Sequence, residues 1–246
     1  MDETTAPILV LGAMEKELCV LFRELEEDTE IQLGAFSFHR GTLRGKTAVL
    51  GLTGVGMARA AGAAALALER FRPRAVLNCG TAGGHSPELR PGDIILGETV
   101  VNAARVDTPR REAGQGSDCF GWSNPRQDVF TVDGVTYRCV EKGDERLLSL
   151  AEALPYSGGR VLRGTILSSD MWNRELDRIL YLHRELGSDC EDMESYAVAD
   201  MAELFHTPFL AVRILSNSEF YPQEGCDYDL HGQRCQQLVL ELMEKL

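Results

Sequence analysis

Short apolar runs that stop at glycine or a small polar residue, with helical segments between them, recur along this chain and constrain its fold most. Pro7-Ile8-Leu9-Val10-Leu11 halts at Gly12, Ala75-Val76-Leu77-Asn78-Cys79 is broken by Gly80, and Phe209 to Leu215 runs into Ser216-Asn217. Continuous apolar runs of this length fit strands buried on both faces, which need helices above and below their sheet. Helical spacing of Leu18, Leu21, Phe22 and Leu25 predicts a helix from about Glu15, and others are expected at Met57 to Phe71, Asp144 to Leu154, Asn173 to Leu186, from the acidic cluster to near Phe205, and Gln233 to Lys245. Ile31 to His39 and Lys46 to Leu52 are predicted as two extended segments joined through a turn at Gly41 to Gly45, and Asp93 to Val101 and Val161 to Leu167 as further strands. The alternation predicts an α/β fold with its site at the carboxyl edges of the strands. No repeat or boundary divides the chain, so one domain over residues 1–246 is expected. Asp107 to Gln127 is the longest expected loop.

Charge narrows the partners. The net charge is −13, and no Lys/Arg cluster offsets it. Such a field repels phosphate backbones and anionic lipid, so neither nucleic acid nor a membrane surface is an expected partner. No apolar run approaches the roughly 20 residues needed to span a bilayer, and Met1-Asp2-Glu3-Thr4-Thr5 lacks the basic start of a secretory signal. The seven cysteines are odd in number and form no C-x-x-C pair, which predicts reduced thiols in a cytoplasmic protein rather than a disulfide framework or zinc site. His85, His183 and His206 are not spaced as metal ligands and are read as structural or exposed. No metal or cofactor is expected.

The most telling stretch is Asp192-Met193-Glu194, just ahead of the Ala-rich segment Ser195 to Ala199. A carboxylate there either caps the helix, where free N–H groups favour negative charge, or accepts from vicinal hydroxyls with the methionine against a sugar face. It belongs to an ordered series: Gly12-Ala13-Met14-Glu15-Lys16-Glu17, Gly54-Val55-Gly56, Asn78 to Gly84, Gly92-Asp93-Ile94, Ser168-Ser169-Asp170, Asp192-Met193-Glu194 and Arg213 to Asn217. From about Ile8 to Asn217, the series resembles the nucleoside phosphorylase superfamily and, within it, most of all the methylthioadenosine/S-adenosylhomocysteine nucleosidases.

The resemblance implies a three-layer α/β/α fold around a mixed, partly barrel-like sheet, and cleavage of the N-glycosidic bond of a purine nucleoside. That reaction builds positive charge on the ribose and negative charge on the leaving base, so a site needs a carboxylate near the sugar, partners for the base and a poised nucleophile. The resemblance gives Glu17 the task of orienting and deprotonating the attacking water, Glu194 that of holding the ribose hydroxyls, and Met193 that of packing on the sugar. Thr81, Ala82 and Gly83 match the loop approaching sugar and nucleophile. Trp172 stands where the family stacks a phenylalanine on the base, Asn173 follows at the purine edge, and Met14 and Val55 match apolar residues near the 5′ substituent. Arg213 and Ser216 complete the expected substrate contacts. Each has a plainer reading as helix-end charge, turn or core.

Asn217 departs from the pattern, since adenine-specific members have an aspartic acid there that protonates N7. An amide is no general acid, but it can accept and donate at once. That suits a 6-oxopurine, with N7–H donating to the amide oxygen and O6 accepting from its nitrogen. Inosine- and guanosine-specific phosphorylases look similar here, as do hydrolases of futalosine. Asp170 and Glu219 are the alternative acids nearby. The readings left open are a hydrolase, a phosphate-dependent 6-oxopurine phosphorylase, and a nucleoside-binding protein without turnover. The resemblance also implies a homodimer, in which Phe120 and Trp122 of the long loop cross the interface.

Overall fold

The computed structural model describes residues 6–123, 130–132, 135–224 and 227–246. Its principal sheet has ten strands: β1 (Ile8–Gly12), β2 (Glu26–Leu33), β3 (Phe36–Leu43), β4 (Lys46–Leu52), β5 (Ala75–Gly84), β6 (Ile94–Asn102), β9 (Val140–Lys142), β10 (Val161–Ser168), β11 (Cys190–Asp192) and β12 (Phe209–Ser218). β7 (Phe130–Val132) and β8 (Val135–Tyr137) form a separate hairpin. The strand order is β11-β10-β6-β12-β5-β1-β4-β3-β2, with β9 on β6. β11 also pairs antiparallel with β5, so β5, β12, β6, β10 and β11 close into a ring while β1 to β4 continue outward as an open wing. The expected mixed, partly barrel-like sheet is therefore present.

Helices cover it on both sides, as the apolar runs require. Along β1, Ile8 and Val10 join one core cluster and Leu9 and Leu11 the other, and the same alternation holds for Ala48, Val49 and Leu50 on β4. The first cluster packs under α1 (Cys19–Glu24), α3 (Glu145–Glu152) and α6 (Tyr228–Lys245), the second under α2 (Met57–Phe71) and α5 (Ser195–Leu204). A smaller cluster seats α4 (Leu176–Leu186) through Leu182 and Leu186 on Val101 and Leu167. Fully burying one such aliphatic side chain contributes roughly 1.5–3 kcal/mol.

Several expectations are corrected. Ile31 to His39 is not one extended segment but parts of β2 and β3, because Gly34 at φ 60° turns the chain back. The strand expected to break at Gly80 runs on to Gly84, since β12 and β11 supply backbone partners for the glycines. The helix expected from Glu15 is split into a 3-10 turn, Glu15–Glu17, and α1. The helix expected from Asn173 begins at Leu176, and the closing helix begins at Tyr228 rather than Gln233. The long loop contains a 3-10 turn at Cys119–Gly121 and a bridge between Asp107 and Ser123, and its residues 124–129 lie outside the described part.

Candidate active site

The carboxyl ends of β1, β5, β11 and β12 surround a cleft of about 320 Å³. Glu17 lies at its floor, 4% exposed, and both its carboxylate oxygens accept hydrogen bonds. Oε2 accepts from the N–H groups of Ala13 (3.0 Å) and Met14 (3.1 Å), Oε1 from the Thr81 N–H (2.9 Å) and hydroxyl (3.0 Å). The split of the expected helix produces this. Leu18, at φ −128°, interrupts the helical path, so the 3-10 turn folds the Glu17 side chain back over the end of β1. Gly80 keeps the approach open, since a Cβ there would stand 3.0 Å from Glu17 Oε1.

Glu194 lines the same cleft. It occupies the N-cap position of α5 yet makes no side-chain cap; Oε1 instead accepts from Gly56 N–H at 3.0 Å. Gly56 has φ 103°, a conformation that suits glycine, and a Cβ there would meet Asp170 Oδ1 at 3.1 Å. The capping falls to Asp192, which accepts from the N–H groups of Glu194 and Ser195 and from the Ser168 and Ser195 hydroxyls. Burial and the neighbouring Asp192 push the Glu194 carboxyl up to about 7; Arg213 and the Gly56 N–H pull the other way, and Glu17 adds to the rise. Glu194 thus feels the charge of Glu17 across one cavity.

Arg213 is corrected from a substrate contact to a buried support. At 1% exposure it does not line the cleft; Nε donates to Asp192 Oδ2 (2.6 Å), and the guanidinium donates to both Asn78 oxygens. Burial opposes its charge, but Asp192, Glu194 and Glu17 raise its pKa. Asp170 is likewise outside the lining and accepts from Met57 N–H at the start of α2, while Glu219 on the rim pairs with Arg174 at 3.0 Å.

The other expected residues converge. Met14, Val55, Thr81, Ala82, Gly83 and Met193 line the cleft, as do Trp172, Asn173, Ser216 and Asn217. Trp172 is 69% exposed and stands at the mouth with Val55, so neither belongs to the core. Ser216 and Asn217 are successive residues of one strand yet both face the cleft. A bulge explains it: Leu215 registers with Ala82 and Asn217 with Gly83, leaving Ser216 as the extra residue. The Ser216 hydroxyl is 3.0 Å from Asn217 Oδ1. Phe120 and Trp122 do not line the cleft; Phe120 packs edge-on against Tyr181.

Comparison with known proteins agrees with this geometry. Residues 7–244 match the Phosphorylase superfamily. The chain belongs to it. Over 213 residues, 85% of this chain and 84% of the relative, it is 32% identical to a 5′-methylthioadenosine/S-adenosylhomocysteine nucleosidase of Anoxybacillus flavithermus. The fold is also that of the Neisseria meningitidis nucleosidase in complex with methylthio-immucillin-A (TM-score 0.78, 24% identity, covering 98% and 100% of the two chains). Futalosine hydrolase of Helicobacter pylori superposes equally well (TM-score 0.78, 20% identity, covering 98% and 99%).

Glu191 and His85 are among the lining residues of this superfamily member that escaped the sequence reading. Glu191, in β11, lines the cleft and its Oε1 accepts from Asn173 N–H at 3.0 Å. His85, read as structural or exposed, is buried at the end of β5: Nδ1 is 2.8 Å from Ser188 Oγ, and Nε2 lies 3.1 Å from Glu191 Oε2, outside good hydrogen-bonding alignment. The acidic run Asp189-Cys190-Glu191 hid a strand too short and too polar for its periodicity to register.

Proposed function

We propose that this protein hydrolyses the N-glycosidic bond of a purine nucleoside, with Glu17 and Asn217 as its catalytic groups. The carrying observation is the placement of Glu17 and Glu194, both buried, on one cleft. Glu194 accepts from the ribose hydroxyls with Met193 against the sugar, and Trp172 covers the base from the mouth. Glu17 takes a proton from a water that bonds to the anomeric carbon. The C1′–N9 bond breaks with its electron pair going to the base. Asn217 holds the departing base, which takes its proton from solvent. Carboxylates beside a ribose that becomes partly cationic lower the barrier by several kcal/mol, because their stabilisation grows as charge develops.

Water rather than phosphate as nucleophile is supported by charge. Among the described residues lining the cleft, Lys16 is the one lysine or arginine, and it sits 4.3 Å over the Tyr228 ring. Glu17, Glu191, Asp192, Glu194 and Glu219 oppose it. A phosphorylase must hold an anion where Glu17 now stands, and Arg213 is engaged elsewhere.

The proposal extends to assembly and setting. Exposed Val55, Met171, Trp172 and Leu176 favour a homodimer. Six described cysteines are free, and the Cys79 and Cys235 sulfurs lie 3.5 Å apart as thiols, which favours the reducing cytoplasm. No helix among the described residues is long and apolar enough to cross a membrane. The continuous ten-stranded sheet favours one domain over residues 1–246. The test is release of free base from methylthioadenosine, S-adenosylhomocysteine, inosine, guanosine and futalosine, with and without phosphate. Hydrolysis without phosphate is expected, and Glu17→Ala is expected to slow it about 10²–10⁴-fold or more. Strict phosphate dependence, or full activity of the variant, refutes the assignment.

A further inference from the structure

The carboxylate assigned to the ribose hydroxyls is held at one point. Among the described residues, the Gly56 N–H, at 3.0 Å, is the one hydrogen bond that the Glu194 side chain receives. The loop that carries this N–H does not fix its direction. Gly54 and Gly56, at φ 75° and 103°, flank Val55, and glycine has a wide range of neighbouring conformations open to it. Upstream the loop is pinned to the end of β1, where Thr53 N–H donates to the Gly12 carbonyl at 2.9 Å. Downstream it runs into α2, whose N-cap, Gly56, has no side chain to offer and whose first turn holds no acidic residue. The first two N–H groups there are taken by carboxylates from far along the chain: Gly56 by Glu194, and Met57 by Asp170 Oδ1 at 2.8 Å.

Asp170 is exposed and does not line the cleft. Its carboxylate nonetheless lies along Gly56, where a Cβ would stand 3.1 Å from Oδ1, 3.6 Å from Cγ and 3.8 Å from Oδ2. The two residues before it hold the stretch from which Glu194 springs. The Ser168 hydroxyl donates to Asp192 Oδ1 at 2.5 Å, and Ser169 N–H donates to the Asp192 carbonyl at 3.1 Å. Ser168-Ser169-Asp170 therefore reaches Glu194 by two routes, one through the backbone at Asp192 and one through Met57 and Gly56 to the carboxylate itself.

We propose that Asp170 is a positioning residue for ribose binding: by accepting from Met57 N–H it fixes the Gly54 to Gly56 loop and so aims the Gly56 N–H at Glu194. Asp170 touches no substrate. Its charge is favoured at the start of α2 by the helix dipole, which steadies the tie. Without it the Met57 N–H turns to water and the loop gains freedom. Glu194 then loses the donor that directs its remaining lone pairs towards the sugar. A misplacement of about 1 Å in such a contact costs up to about 100-fold in rate.

This role rests on the nucleosidase reading of the cleft, and two measurements separate their fates. In rate assays with the nucleoside that the wild type cleaves fastest, Asp170→Ala is expected to lower kcat/KM at least about tenfold. Its acidic limb should move to higher pH, because the Gly56 N–H that pulls the Glu194 carboxyl down is lost. Asp170→Asn keeps an acceptor for Met57 and is expected to stay within about threefold of wild type, with the limb in place. An unmoved limb in the alanine variant, or equal losses in the two variants, overturns the role. The second measurement needs no turnover. Inosine and methylthioadenosine are titrated calorimetrically into the Glu17→Ala chain, and the tighter ligand is followed. Adding Asp170→Ala is expected to weaken it at least about tenfold, but less than about twofold once Glu194→Ala is also present. Equal losses in both backgrounds mark a merely structural residue and overturn the role, as does binding of neither nucleoside. If the wild type releases no base while the coupling holds, the hydrolase falls and the positioning role stands. Hydrolysis with additive losses does the opposite.

Discussion

At the scale of single residues, Glu194 carries a conflict between stability and use. Its environment raises the carboxyl from 4.5 to about 7, chiefly through burial and Asp192. Between those values the folded protein binds a proton that the unfolded chain has released, so stability falls as pH rises through that window. Accepting from ribose hydroxyls needs the ionised form, so kcat/KM is expected to rise with pH and level off above about 7. Glu194→Gln removes the titration and keeps an oxygen for the Gly56 N–H. The variant is expected to lose the acidic limb of the rate profile and most activity, yet to melt higher than wild type at pH 8. A variant that melts lower at pH 8, or a retained limb near 7, would show that another group titrates.

At the scale of elements, the site depends on segments whose tasks their own sequences do not display. Gln236, fully buried in α6, accepts from the N–H groups of Val20 and Leu21 with Oε1 and donates to the carbonyls of Lys16 and Gly232 with Nε2. It thereby ties the turn that carries Glu17 to the first turn of α1. Gln236→Leu leaves these buried groups unpaired, at a cost of about 2–3 kcal/mol. The expected drop in Tm is roughly 5–10 °C, with a lower kcat as Glu17 loosens; an unaltered kcat in the folded variant would limit Gln236 to a stabilising role. The sequence announced Glu17 and Glu194 because ordered motifs carried them, and it announced β1 because a strand buried on both faces leaves a continuous apolar run. It could not announce Gln236, which pairs with residues some 216 positions away. Nor could it announce the continuation of β5 through its glycines, which only the neighbouring strands explain. Ser216 and Asn217 reach the cleft together through a bulge, and a bulge is a property of register between strands rather than of either one.

At the scale of the whole molecule, the net charge of −13 and the acidic cleft act in the same direction. Closing β11 onto β5 brings Glu191, Asp192 and Glu194 to the ring's mouth, opposite Glu17 from the turn after β1. Arg213, the buried counter-charge, faces the interior and is consumed by Asp192 and Asn78. The field at the mouth is therefore negative, and it attracts a ribose becoming cationic while repelling anions. A 5′-phosphate brings two negative charges towards Glu17 and Glu194 in a cleft with Lys16 as its one described lining cation. Inosine 5′-monophosphate is accordingly expected to be cleaved at least about 100-fold more slowly than inosine in kcat/KM at low ionic strength, an energy gap of about 2.7 kcal/mol. Much of the repulsion is long-range, so raising salt from roughly 0.01 M to 0.15 M shortens the screening distance from about 30 to 8 Å and should narrow that gap. The rate with inosine itself, an uncharged substrate, should hardly move. If nucleotide and nucleoside were cleaved alike at every salt concentration, the acidic cleft would have no part in choosing the substrate.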